Sequence, residues 1–257
     1  MENQLTVSCV VLKDTICKNQ KAILLENIRY PQFDNSSENK KAKNLCSKMN
    51  KFYKALAKQF SDYVHTNLAK KASRKANTLA KPYGAVMNYC ISFDDGETVS
   101  VVVDISVFDG DSFSSGRTSH NWSVSRCALM PVSFYLDKHK KSRNYIKSLA
   151  FETLEKNLQN SSFGYFADCK KQFLHHFDIN NFYFVPNGIA FFIDAGIISN
   201  VKNGPSVFII SYKQADGVLK VVPLLKNNAQ NDRIWLYIVN NLKTFVFFYF
   251  CMRLNVV

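Results

Sequence analysis

The residues best suited to chemistry cluster around His120, with Ser119 beside it and Asp104, Asp109 and Asp111 a few positions upstream. A histidine near carboxylates could transfer protons or hold a metal, and a serine beside it invites a nucleophile reading. The local pattern supports neither strongly. Neighbours on a strand point to opposite faces, and no G-x-S-x-G elbow surrounds Ser119. The simpler reading is a polar turn region whose aspartates hydrogen-bond locally. His175 and His176 are adjacent and so do not share one helix face. The seven cysteines (Cys9, Cys17, Cys46, Cys90, Cys127, Cys169 and Cys251) form no C-x-x-C pair and do not join the histidines at zinc spacing. No glycine loop for phosphate is present. These residues point to no catalytic group, no bound metal and no cofactor, and the expectation is a protein that is not an enzyme.

A second concentration of chemistry is charge. Across 257 residues, 33 Lys and Arg against 20 Asp and Glu give a net charge of +13, which suits an acidic partner such as nucleic acid, an anionic membrane or a polyanionic cell wall. The bland alternative is a solvated basic face. Lys48, Lys51, Lys54 and Lys58, followed by Lys70, Lys71, Arg74 and Lys75, collect in one region. No aromatic residue interleaves with these lysines, which argues against a stacking platform for nucleic acid.

The elements that must position these groups follow from periodicity. Asn88 to Phe108 reads as two β-rich runs around Asp94-Asp95-Gly96, a hairpin turn in which Gly supplies positive φ. Val99, Val101, Val103, Ile105 and Val107 alternate and share one buried face, while Ser100, Asp104 and Ser106 predict an opposite face at least half in water. Leu5 to Leu12 and Ala22 to Tyr30 read as strands, the second ended by Pro31. Leu45, Met49, Phe52, Leu56, Phe60, Tyr63 and Val64 form a helical stripe and predict a helix from about 41 to 72, with the lysines on its other face.

The Ser-, Gly- and Asp-rich segment 109–121 predicts an exposed loop beside the sheet. Asp109, Asp111, Arg117, Ser119, His120 and Asn121 would then form a recognition surface, and His120 would be replaceable at little cost in stability. Strand is expected again at 122–127, an apolar connection at 130–136, and a basic loop at 137–143. A second helix is expected over about 142–160 and a short third one within 165–175. Short strands follow at 182–185, 189–193 and 206–212, with Gly188 taking positive φ in a tight turn.

The last segment, 225–257, has two apolar runs split by Asn240, Asn241 and Lys243. A membrane span wants about 20 mainly apolar residues without a charge at the centre. The tail therefore reads as a packing or interfacial helix after a domain at 1–224, and the sequence leaves its membrane association open. Met1-Glu2-Asn3-Gln4 lacks the basic and apolar regions of an export signal. With scattered cysteines that read as mostly buried thiols, the expectation is a cytoplasmic protein.

The order of elements resembles the RsiV-like domain family, a bacterial domain of unknown function found in the outer part of an anti-sigma factor and beside the catalytic domain of a peptidoglycan deacetylase. Tyr30-Pro31-Gln32 matches the family's opening strand, and Pro131-Val132-Ser133-Phe134-Tyr135 its apolar connection. The stretch from Asn181 to Phe192 matches its Phe-Tyr…Gly…Phe-Phe hairpin, and Gly204 to Tyr212 its closing strand. The likeness covers about 20–214. His120 stands at the family's histidine, with Arg117, Thr118, Ser119 and Asn121 where the family has glycines and alanine. The resemblance implies an α+β domain, an antiparallel sheet with two main helices packed on it, and a non-catalytic binding or sensory role. One branch of the family senses lysozyme. The partner would be a protein or cell wall, with nucleic acid disfavoured. The alternative is a basic accessory module that binds a polyanion through the first helix, and an enzyme using His120 with a nearby aspartate has least support.

Overall fold

A computed structural model describes residues 5–35, 39–137, 139–159 and 163–220. The chain is α+β. Strands β1 (Thr6–Lys18) and β2 (Lys21–Asp34) form a long hairpin. Helix α1 (Lys40–Tyr63) continues through a π-helical turn (Val64–Leu68) into α2 (Ala69–Arg74). Then come β3 (Tyr83–Asp94), β4 (Thr98–Phe108), β5 (Phe113–Ser123) and the short β6 (Ala128–Leu129). These six strands make one sheet in chain order, antiparallel except where β2 pairs β3 in parallel. A parallel pair needs a crossover connection, and the α1–α2 segment supplies it.

After the single turn α3 (Val132–Tyr135) come α4 (Lys140–Leu158) and α5 (Cys169–His176). A second, three-stranded antiparallel sheet follows, made of β7 (Phe182–Val185), β8 (Gly188–Ile193) and β9 (Ser206–Ser211). The two main helices do pack on sheet, each on its own. α1 buries Leu45, Met49, Tyr53, Ala57 and Phe60 against the first sheet, with Leu24, Ile28, Met87, Val101 and Val103 opposite. α4 buries Ile146, Leu149, Ala150 and Leu154 against the second, with Phe184, Phe191 and Phe208.

The back of the first sheet is not half in water as Ser100, Asp104 and Ser106 suggested. Ser100 and Ser106 are buried, and Val102 packs with Tyr183, Val185, Ala190 and Phe192 of the second sheet. The layers therefore run helix, sheet, sheet, helices. The second sheet is apolar on both faces, which is why all six residues of β8 are buried.

Local signals account for most boundaries. Asn39 caps α1, its Oδ1 accepting from the amides of Lys41 and Ala42. The Asp94–Gly96 turn forms as expected, with Gly96 at φ 82°. Gly188 does not take positive φ as expected. It is required because a Cβ there would run into the carbonyl of Ile210 on β9, so the constraint is close approach rather than turn conformation. Pro31 does not end β2, which continues to Asp34. Beyond Ile28 this strand has a neighbour on one side only, and a missing amide hydrogen is tolerated there. The basic segment 137–143 is not all loop, because α4 already begins at Lys140. Of the strand expected at 122–127 only Trp122 and Ser123 form, as the end of β5, and 124–127 turn into β6.

The six cysteines among the described residues are unpaired. Cys46 and Cys169 are buried and Cys90 and Cys127 half-buried, but Cys9 and Cys17 lie exposed on β1, against the expectation of mostly buried thiols. No described helix is long and apolar enough to cross a membrane. The tail at 225–257 lies outside the described residues.

Candidate functional site

The segment 109–121 is not an exposed loop. Only Asp109 to Ser112 turn, with Asp109 Oδ1 accepting from the amide and hydroxyl of Ser112, each at 2.9 Å. From Phe113 onward the chain is β5, paired residue for residue with β4. Its polar composition has a structural cause. β5 lies where the two sheets stack, and its polar side chains bond across the gap.

Arg117, Ser119 and Asn121 occupy the face toward the second sheet. Arg117 donates to both Asp104 oxygens, Nε to Oδ1 at 2.7 Å and Nη2 to Oδ2 at 2.8 Å, and its Nη1 reaches the Tyr183 hydroxyl at 3.3 Å. Burial works against its charge, and the Asp104 carboxylate more than restores it, so the guanidinium stays protonated. The neighbouring Cys90 thiol is pushed up to about 12 by burial and is no nucleophile. Ser119 Oγ and Asn121 Nδ2 both donate to the Phe182 carbonyl, at 2.6 and 3.1 Å. Ser100 donates to Asn121 Oδ1 at 2.5 Å and accepts from the Phe184 amide at 3.2 Å. These groups anchor β7 on the first sheet.

Ser119 and His120 do face opposite ways, as adjacent strand residues should. His120 lies beneath α1, its ring 4.8 Å from Phe52 and 5.7 Å from Tyr53, both edge to face. Trp122, two residues on, donates to the Tyr53 hydroxyl at 3.0 Å. His120 is therefore a packed side chain rather than a surface one, and its replacement by Ala should cost more than a surface change. Burial depresses its pKa to about 4, and its Nδ1 has no hydrogen-bond partner among the described residues.

That depression has a readable consequence. Between pH about 6.5 and about 4 the unfolded chain binds a proton that the folded chain does not. The contribution of His120 is thus complete above pH about 6.5 and is lost as the pH falls through this window, to a total of about 3 kcal/mol. Asp94 opposes it. Burial raises its pKa to about 6, so it favours the folded state as pH falls over part of the same range. His120→Phe should isolate the histidine. The stability difference between wild type and variant, from urea melts, is expected to shift toward the variant by about 3 kcal/mol between neutral pH and pH 4. A pH-independent difference would place the imidazole in water.

Asp109 and Asp111 pair with lysines of the crossover. Lys71 holds Asp109 well below the ordinary carboxylate range, and Lys75 pairs with Asp111. The six residues expected as one recognition loop are thus distributed over a turn, the sheet interface and the helix side of β5. The basic face does exist. Lys48, Lys51, Lys54 and Lys58 are all exposed on the outer side of α1. Lys48 donates to the Cys127 carbonyl at 3.0 Å, and Lys58 pairs with Asp62 at 2.6 Å. Lys51 and Lys54 form no ion pair among the described residues.

Sequence reading missed one constellation. Asp14, Glu26 and His65 are distant in the chain, yet each brings a ligand atom to a point where all three lie within 4.8 Å of one another. Nothing in the spacing of these residues announces it; only the β1–β2 register and the π-helical turn bring them together.

The geometry defines a two-sheet α+β domain with a rivetted sheet interface and a lysine-rich outer helix. This fold is shared with solved structures, among them two DUF3298-family proteins. A DUF3298-family protein from Bacteroides fragilis aligns with a TM-score of 0.60 and 12% identity, over 87% of this chain and 97% of its own. A DUF3298-family protein from Pseudomonas aeruginosa aligns with a TM-score of 0.57 and 12% identity, over 85% of this chain and 96% of its own. At this identity the likeness is one of fold. No family model and no curated protein matches the chain.

Proposed function

We propose that the chain is a non-catalytic binding or sensory domain of the RsiV-like kind that engages a protein or cell-wall partner. One observation carries this reading. The side chains around His120 that could have served chemistry are spent on the fold: Ser119 bonds the Phe182 carbonyl, Arg117 pairs with Asp104, and His120 packs under Phe52 and Tyr53. The fold shared with two DUF3298-family structures supports it further.

A second reading rests on Lys51 and Lys54, which stand exposed without an acidic partner among the described residues. It makes the outer face of α1 a polyanion-binding surface, with an acidic cell-wall polymer as its partner. Two purified probes separate the readings: lysozyme, after the branch that the resemblance brings in, and peptidoglycan carrying its anionic polymers. Recognition of a protein should bind lysozyme with little dependence on Lys51 and Lys54. Polyanion binding should weaken steeply with salt. There Lys51→Gln with Lys54→Gln should lower affinity about thirtyfold, at about 1 kcal/mol for each lysine near an anionic surface. Failure to bind either probe would overturn both readings, and turnover of either would overturn the non-catalytic one.

A further inference from the structure

Asp14 and Glu26 are directly opposed in the antiparallel register of β1 and β2, so their side chains lie side by side on one face. Like charges in that position repel. His65, from the π-helical turn, closes over them. Its Nε2 is hydrogen-bonded to Glu26 Oε2 at 3.3 Å and lies 3.6 Å from Asp14 Oδ2. Glu26 forms the floor of this gap. Its side chain is only 3% exposed, and its Oε1 has no hydrogen-bond partner among the described residues. A buried carboxylate is costly unless it is paired, hydrogen-bonded or on a metal. A proton on His65 would offer one positive charge to two carboxylates, at separations longer than the roughly 2.7–2.9 Å of charge-assisted hydrogen bonds.

The two separations from His65 are close to those of a coordination shell, and the two carboxylates lie within 4.8 Å of each other, so a small closing of the gap completes it. Nitrogen and oxygen ligands about 2.0–2.1 Å from a tetrahedral ion stand about 3.3 Å from one another. We propose that Asp14, Glu26 and His65 bind a divalent cation of the zinc type, with three protein ligands and a fourth position open to solvent. An imidazole among few ligands favours zinc over magnesium or calcium, which take more oxygens. The Thr15 amide donates to Asp14 Oδ1 at 2.7 Å, which leaves Oδ2 turned toward His65. Asp14 and His65 are about half exposed, so the ion has a way in. His65 sits on a π-helical turn, an irregularity frequent at functional sites. Bound there, the ion would tie the outer strand β1 to β2 and to the crossover helix.

The test uses the untagged chain, stripped with chelator, titrated with Zn2+ by calorimetry and with Co2+ by absorption spectroscopy. One ion per chain is expected. The cobalt form should show the visible bands of a four-coordinate nitrogen and oxygen site without thiolate charge transfer, and Zn2+ should raise Tm. His65→Ala and Asp14→Asn are both at exposed positions. Each should weaken binding at least about a hundredfold, the upper end of what losing a mere supporting group costs, and each should abolish the rise in Tm. Asp14→Asn should not lower the Tm of the metal-free chain, because it removes the repulsion with Glu26. The proposal is overturned by no uptake, by affinities in both variants within about tenfold of wild type, or by sulfur charge-transfer bands that place the ion on cysteines.

Discussion

Asp104→Ala is expected to cost about 3–5 kcal/mol, the loss found when one partner of a buried ion pair is removed. Arg117 is 10% exposed at its side chain and sits between the sheets, with its guanidinium 5.8 Å from the Tyr183 ring and 6.0 Å from that of Phe192. Asp104 is the one carboxylate hydrogen-bonded to its guanidinium among the described residues, bound through both oxygens, while Asp194 Oδ1 accepts from the Arg117 amide at 3.1 Å. Without it the cation stays buried, because arginine does not give up its proton. Urea denaturation measures the cost as a lower midpoint at unchanged slope. Adding Arg117→Met should recover much of the loss, since an apolar pair of similar volume often equals a buried ion pair. A cost below about 1 kcal/mol, the range of an exposed pair, would mean that water reaches Arg117 and that the sheets are not closed over it.

Phe191→Ala should cost a similar amount, about 3–5 kcal/mol, by a different mechanism. Phe191 is fully buried on the central strand of the second sheet, its ring 5.7 Å from Phe177 and 6.4 Å from Phe182. The ring fills the space between sheet and helices, and truncation leaves a cavity that those elements cannot collapse into. Phe191→Leu keeps most of the volume and should cost clearly less. Equal losses for Ala and Leu would point to the ring contacts rather than the cavity, and no loss for either would remove the second core.

Much of the fold is legible in the sequence because its signals are local. The stripe from Leu45 to Val64 predicts the crossover helix within a few residues of its observed ends. Asp94-Asp95-Gly96 and Pro186-Asn187-Gly188 place two hairpins. β5 is illegible for a physical reason. Alternation rules treat Ser119, Asn121 and Arg117 as water-facing, whereas here such residues meet hydrogen-bonding partners on another sheet, and pairing between sheets leaves no periodic trace. The same error hides the covered face of β4 at Ser100 and Ser106. β1 runs on to Lys18 although the apolar pattern fades after Leu12, because a strand exposed along most of its length carries little hydrophobic signal. Of the candidate site, the lysines of α1 are readable from helical spacing. Asp14, Glu26 and His65 are not, since their meeting depends on strand register and on one irregular helical turn.

The parallel junction of β2 with β3 also bears on how fast the chain reaches its native state. The hairpins β1–β2, β3–β4 and β4–β5 join residues close in sequence and close quickly. Pairing Leu24 with Tyr83 instead requires the whole crossover to be spanned before any contact rewards the lost chain entropy. The rate-limiting barrier then lies at the docking of two preformed hairpin units under α1. Substitutions at that seam, such as Ile28→Val, should slow refolding, whereas substitutions in the second sheet should chiefly speed unfolding.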